Sequence, residues 1–258
     1  MDLISSSDSK YGEYENLLLE RDQLEKEAGQ IWTVYLQLFG KLISDNYEEK
    51  LECVKCKKTI AYYQNALNHG GTVDAAAMKE YLDREMAEYY ANLRQMLKEN
   101  EAADNAGTSR PYEVKRSKVL YRRLAKLVHP DINPETDRSG TLRESWNRIL
   151  IAYHANNVKE LSELEVLVRK TIRDLGAGDV RADIPDIGEK IGALKEEIAE
   201  IMNAEPYTLR GLVDDEEAAR IKKQELEEEL ETYRKYHEEL KAVILNMLQG
   251  GGLKIYVG

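Results

Sequence analysis

The chain has 258 residues, 42% hydrophobic and 33% charged, with five prolines and two cysteines. Lys and Arg number 37 against 48 Asp and Glu, and this net charge of −11 argues against general nucleic-acid or acidic-membrane binding. Two cysteines exclude a disulfide scaffold, and no apolar run approaches the ~18 residues of a membrane span. Met1-Asp2-Leu3-Ile4 followed by serines lacks the regions of a signal peptide, so a soluble, cytoplasmic, nearly all-helical protein is expected.

No proline precedes Pro111, and three periodic stretches fill the first hundred residues. Leu17, Leu24, Ala28, Ile31, Tyr35 and Leu36 mark the first helix, ending near Phe39-Gly40. Asp45-Asn-Tyr-Glu48 has the form of a capping box for the second, which carries Leu51, Val54, Ile60 and Leu67 and stops at His69-Gly70-Gly71. The third runs from about Asp74 through Met78, Leu82, Met86, Leu93 and Leu97. Short breaks between amphipathic helices predict an up-and-down N-terminal bundle over residues 1–108.

A second region is expected over 109–175. A basic helix runs from about Tyr112 to Val128, a loop follows at His129-Pro130-Asp131-Ile132-Asn133-Pro134, and another helix spans roughly Leu142 to Ala155. Asn157-Val-Lys-Glu160 reads as the cap of one more, carrying Leu161, Leu164, Val168 and Leu175. Residues 176–185 form a linker.

Beyond it, Ile187, Ile191, Leu194, Ile198 and Ile201 follow a heptad seam. Leu226, Leu230, Tyr233, His237, Leu240 and Ile244 repeat the pattern after a connector of about ten residues, which predicts an antiparallel coiled-coil hairpin over 184–250. Residues 251–258 are left as a tail. The run from Asp214 to Lys241 holds eleven acids and six bases and reads as a solvated face, with His237 at a seam position where it can set register.

The chemistry concentrates at the second region. Residues 110–131 carry seven basic side chains (Arg110, Lys115, Arg116, Lys118, Arg122, Arg123, Lys126) against Glu113 and Asp131, a local +5 inside an acidic protein. Such a face suits an acidic partner and speeds encounter more than it adds affinity. Pro130 fixes the loop backbone, and Asp131 can accept hydrogen bonds or meet an arginine bidentately. Each feature alone also fits a plain helix C-terminus with a turn. Their order and spacing favour a functional motif.

Leu120-Tyr121-Arg122-Arg123-Leu124-Ala125, then His129-Pro130-Asp131, Asn133-Pro134 and Trp146-x-x-Ile149-x-x-Ala152-Tyr153, resembles the J-domain family of co-chaperones. The resemblance covers about Tyr112 to Tyr153. It implies a basic second helix and an apolar third helix packed antiparallel, docking on a DnaK-type heat-shock chaperone through His129, Pro130, Asp131, Arg122, Arg123, Lys126 and Lys118. The tripeptide would trigger ATP hydrolysis in that partner. The family's short first helix is a departure here: Pro111 and the linker leave no room for it unless an upstream helix substitutes. The order of helical region, central J-domain and C-terminal hairpin looks like that of small bacterial J-domain proteins.

Cys53-Val-Lys-Cys56 has metal or redox spacing, but a structural zinc needs four ligands and no second pair exists. The pair reads as two helix residues, one of them buried. No nucleophile elbow, phosphate loop or paired-carboxylate pattern is present, so no enzyme activity, cofactor or metal is expected. The expected partners are the DnaK-type chaperone and a client protein, with a homodimer as a further option. The alternative is a coiled-coil scaffold whose J-like segment is inactive. The two differ in one respect: an active segment leaves His129, Asp131 and the Arg122–Lys126 side exposed, whereas a scaffold covers that surface with flanking helices.

Overall fold

The structure is a computed structural model that describes residues 2–107, 109–176 and 184–256. The chain is all-α. Its main helices are α1 (Asp2–Tyr35), α2 (Lys41–Asn68), α3 (Ala75–Asp104), α4 (Pro111–Val128), the short α5 (Glu135–Arg138), α6 (Gly140–His154), α7 (Val158–Asp174), α8 (Ile187–Asn203), the short α9 (Arg210–Asp214) and α10 (Glu216–Gln249). Among the described residues only Thr72–Asp74 (β1) and Lys254–Tyr256 (β2) are extended strands. Most of the expected linker over 176–185 lies outside the described residues.

The chain divides into two compact units, and the division differs from the expected one. Residues 1–30 belong with 107–208, and residues 31–106 belong with 209–258. In the first unit the basic helix starts as its sequence dictates: Pro111 opens it, and the Glu113 carboxylate accepts the Arg110 backbone N–H at 2.9 Å. Leu120, Leu124 and Val128 repeat every fourth residue and meet Leu142, Ile149, Leu161, Leu164 and Val168 of α6 and α7, all essentially sealed from water. Each such side chain stabilises the unit by about 1.5–3 kcal/mol. Asn157 caps α7 as expected, its side-chain oxygen accepting the Glu160 N–H at 3.0 Å.

The predicted C-terminal hairpin does not form. Ile191 and Leu194 of α8 pack with Tyr14 and Leu18 of α1, and with Ile132 and Ile184, inside the first unit. Leu226 and Leu240 of α10 instead meet α2 and its approach, Leu226 beside Phe39 and Leu240 beside Cys53 and Cys56. His237 pairs with Glu49 of α2. A heptad fixes which face of a helix is apolar, and it leaves open which other apolar face will cover it. Both cysteines are buried and unbridged, and burial pushes both thiols up.

The N-terminal bundle also differs in detail. No turn interrupts the chain at Phe39-Gly40; Leu36–Gly40 is a π-helical turn leading directly into α2. Gly40 is required by close approach: the Asn100 amide of α3 donates to its carbonyl at 2.8 Å, and a side chain at position 40 would collide with Asn100. Asp45 therefore lies inside α2, where its carboxylate pairs with Lys41 at 3.0 Å instead of capping a helix. Asp74 does cap α3, accepting the N–H groups of Ala76 and Ala77.

β1 and β2 pair in parallel, Val73 opposite Ile255, after a left-handed turn at Gly71. The Gly71 carbonyl accepts the Lys254 N–H at 2.6 Å, and a methyl group at 71 would strike the Gly252 carbonyl. Gly71→Ala is expected to release this clasp, at a conformational cost of about 1–2 kcal/mol. Amide exchange at Lys254 checks this: it should rise to that of an open chain, and unchanged protection contradicts the account.

Candidate functional site

The site grows from the C-terminal end of α4. The last carbonyls of a helix lack intrahelical donors, and here the following loop supplies them. Asn133 Nδ2 donates to the Leu127 carbonyl at 2.8 Å and Thr136 Oγ1 to that of Val128 at 3.0 Å. The Ile132 and Asn133 N–H groups both close onto the His129 carbonyl. Asn133 also accepts the Glu135 N–H, which starts α5. Residues 129–136 are thereby pinned to α4 in one shape.

Within that loop the tripeptide side chains have different fates. His129 is buried at 5% exposure, its ring edge-on to Trp146 of α6 with centroids 4.8 Å apart. Its Nδ1 accepts the Asp131 backbone N–H at 3.1 Å. Burial pulls its pKa below the ordinary histidine value, against the opposing fields of Asp22 and Asp131, so the ring is neutral at pH 7. Pro130 is half-buried. Asp131 is exposed, and one oxygen of its carboxylate lies 3.9 Å from His129 Nδ1.

The cations stand on the other side of α4 from its buried stripe. Arg122, Arg123 and Lys126 are exposed, and Lys118 is half-buried. Burial and the neighbouring Arg122 charge lower the Lys118 pKa. Lys126 pairs with Glu15 of α1 at 3.0 Å, whereas neither Arg122 nor Arg123 enters an ion pair among the described residues. An exposed carboxylate at the tip and a row of cations along one helix can dock on a partner carrying both charges. Among the described residues, no cluster of three or more His, Cys, Asp or Glu side chains could hold a metal ion.

Sequence reasoning missed the part played by α1. Leu19 joins the α4–α6–α7 core, and the Tyr121 hydroxyl of α4 donates to Asp22 at 2.6 Å. The Asp22 carboxylate also receives Arg21 at 2.8 Å and lies 3.8 Å from His129 Nε2. One turn further on, Lys26 is buried at 5% exposure. Its ammonium donates to Asn156 Oδ1 at 2.6 Å and stands 3.7 Å over the Tyr153 ring, and it enters no ion pair among the described residues. Burial lowers its pKa to about 8. The signal was present as Glu15, Leu19, Asp22 and Lys26 on one helical face, but its mixed polarity reads as a solvated stripe.

No protein-family model, curated protein or solved structure matches this chain.

Proposed function

We propose that this protein is a J-domain co-chaperone that docks on a DnaK-type heat-shock chaperone and stimulates its ATPase. The observation that carries the reading is the arrangement of α4, the pinned loop and α6. Lys118, Arg122, Arg123 and Lys126 line the helix entering the loop, and the exposed Asp131 stands at its tip. That combination agrees with the motif resemblance over residues 112–153, and it offers the encounter chemistry an acidic ATPase surface would need. The unit built from α2, α3 and α10 would hold a client or a second copy of the chain.

One observation favours the scaffold reading instead: His129, which the family places at the contact with the ATPase, is buried between α1 and α6. The surface expected to be bare in an active member is thus covered at one residue and open at Arg122, Arg123 and Asp131.

Binding measured against the ATP-bound chaperone tests the docking face. The wild-type association rate should fall as salt rises from 0.05 to 0.5 M, since exposed charges are screened over about 10 Å at 0.1 M and less beyond it. Arg122→Glu/Arg123→Glu should associate slowly at low salt and lose most of this dependence. A double variant that binds like wild type at both salts removes α4 as the docking face.

A further inference from the structure

We propose that Asp22, carried by α1, is a positioning residue for the His129-Pro130-Asp131 loop: it holds the His129 ring in the orientation in which Nδ1 accepts the Asp131 N–H, and so fixes the loop that presents Asp131. The inference rests on the co-chaperone reading for its consequence in activity, and on geometry alone for the coupling itself.

The geometry is as follows. Nδ1 of His129 accepts the Asp131 N–H at 3.1 Å, so the proton of the neutral ring sits on Nε2. Nε2 faces the Asp22 carboxylate at 3.8 Å, beyond hydrogen-bond length but close enough for the negative charge to favour an N–H over a lone pair. The Asp131 N–H bonded at Nδ1 selects this tautomer, the Asp22 charge favours it from α1, and the Asp131 carboxylate, 3.9 Å from Nδ1, opposes it, so Asp22 offsets the field of the loop's own carboxylate. Trp146 closes the third side with its ring and carries no charge.

Asp22 is itself held. It is 9% exposed, with Arg21 on one oxygen and the Tyr121 hydroxyl on the other. A nearly buried carboxylate costs several kcal/mol of lost hydration unless it is hydrogen-bonded and paired, and here it is both. The groups facing His129 are thus Asp22 and Arg21 of α1, Asp131 of the loop, and Tyr121 of α4 through Asp22. The helix that supplies Asp22 lies against the flank of α4. It supports the loop and takes Lys126 into a pair with Glu15, leaving Arg122 and Arg123 open.

The test uses the full chain and Asp22→Asn, which keeps the shape and removes the charge. Nitrogen-15 NMR of the imidazoles should report the Nε2–H tautomer for wild-type His129. In the variant its pKa should move further down, because a field that raised it has gone. In parallel, ATPase stimulation of a DnaK-type chaperone should lose maximal rate while the concentration for half-effect stays put, since the α4 cations that make the encounter are unchanged. Tyr121→Phe, which removes one hydrogen bond to Asp22 and no charge, should reproduce the loss only weakly. An Asp22→Asn protein whose His129 titration and tautomer match wild type overturns the inference, whatever its activity. So does one whose half-effect concentration rises with maximal rate unchanged, because Asp22 would then act in binding. If wild type stimulates no chaperone, the co-chaperone reading fails, and the NMR result alone decides whether Asp22 positions His129.

Discussion

Replacing Lys26 by methionine is expected to stabilise the protein at pH 7 by about 1–3 kcal/mol, the range in which exchanging buried charges for apolar volume commonly falls. The reason is that the Lys26 pKa is lowered to about 8 by burial, against about 10.4 for an unfolded lysine. Its hydrogen bond to Asn156 and the Tyr153 ring offset only part of the lost hydration. Asn156 Oδ1 keeps a donor in the variant, because Ser117 Oγ already bonds it at 2.8 Å. The pH dependence gives a second signature. Between about pH 8 and 10.4 the unfolded chain binds the Lys26 proton more tightly, so the Lys26 cost to wild-type stability fades as pH rises across that window. Below about pH 8 both states are charged and the cost is fully present. The Lys26 part is read as the difference between wild type and variant, because the raised thiols of Cys53 and Cys56 and, above pH 10, the phenols of Tyr121 and Tyr153 add an opposite slope to both proteins. Thermal unfolding at pH 7, 8, 9 and 9.5 checks both points: Lys26→Met should melt higher than wild type at pH 7, and the gap should narrow as pH rises. A variant less stable than wild type at pH 7 contradicts the account.

His129→Gln is expected to lose both stability and stimulation. An exposed loop histidine would tolerate the change within about 0.5 kcal/mol, but this ring is buried against Trp146 and accepts the Asp131 N–H. Glutamine can offer an acceptor but not the flat edge, so a loss of about 1–3 kcal/mol follows. The pH profile separates the variants. His129 is held neutral, so wild-type stability falls as pH drops below about 6.5, where the unfolded histidine takes up a proton first. His129→Gln should lack that particular fall between pH 6.5 and 5. Denaturant unfolding across that range, with chaperone stimulation assayed at pH 7.5, reads both effects. Full stimulation by a folded His129→Gln protein would make the histidine dispensable.

The parts of the fold written in local patterns were legible. The Pro111 start of α4, the Asn157 cap of α7 and the Asp74 cap of α3 each depend on a few neighbouring residues, and each appears where its residues stand. Gly40 misled because a glycine that permits close approach of Asn100 looks the same in sequence as one that ends a helix. The partner of each apolar face was not legible. Ile191 and Leu194 find α1, and Leu226 and Leu240 find the α2 side of the other unit, because heptads carry no address. At the site, the motif residues could be named from their order alone. The burial of His129 could not, since its ring lies between Trp146 of α6 and Asp22, which stands more than a hundred residues upstream on a helix whose docking face mixes charged and apolar side chains.

The measurement that tests the central claim most directly is single-turnover ATP hydrolysis by a DnaK-type chaperone from the same cell, with and without the full chain. The co-chaperone account predicts a several-fold or greater acceleration by wild type, a clearly smaller one by Arg122→Glu/Arg123→Glu at low salt, and no acceleration by His129→Gln. Hydrolysis that proceeds at the same rate with wild type present, across every DnaK-type chaperone of that cell, contradicts it and leaves the scaffold reading in its place.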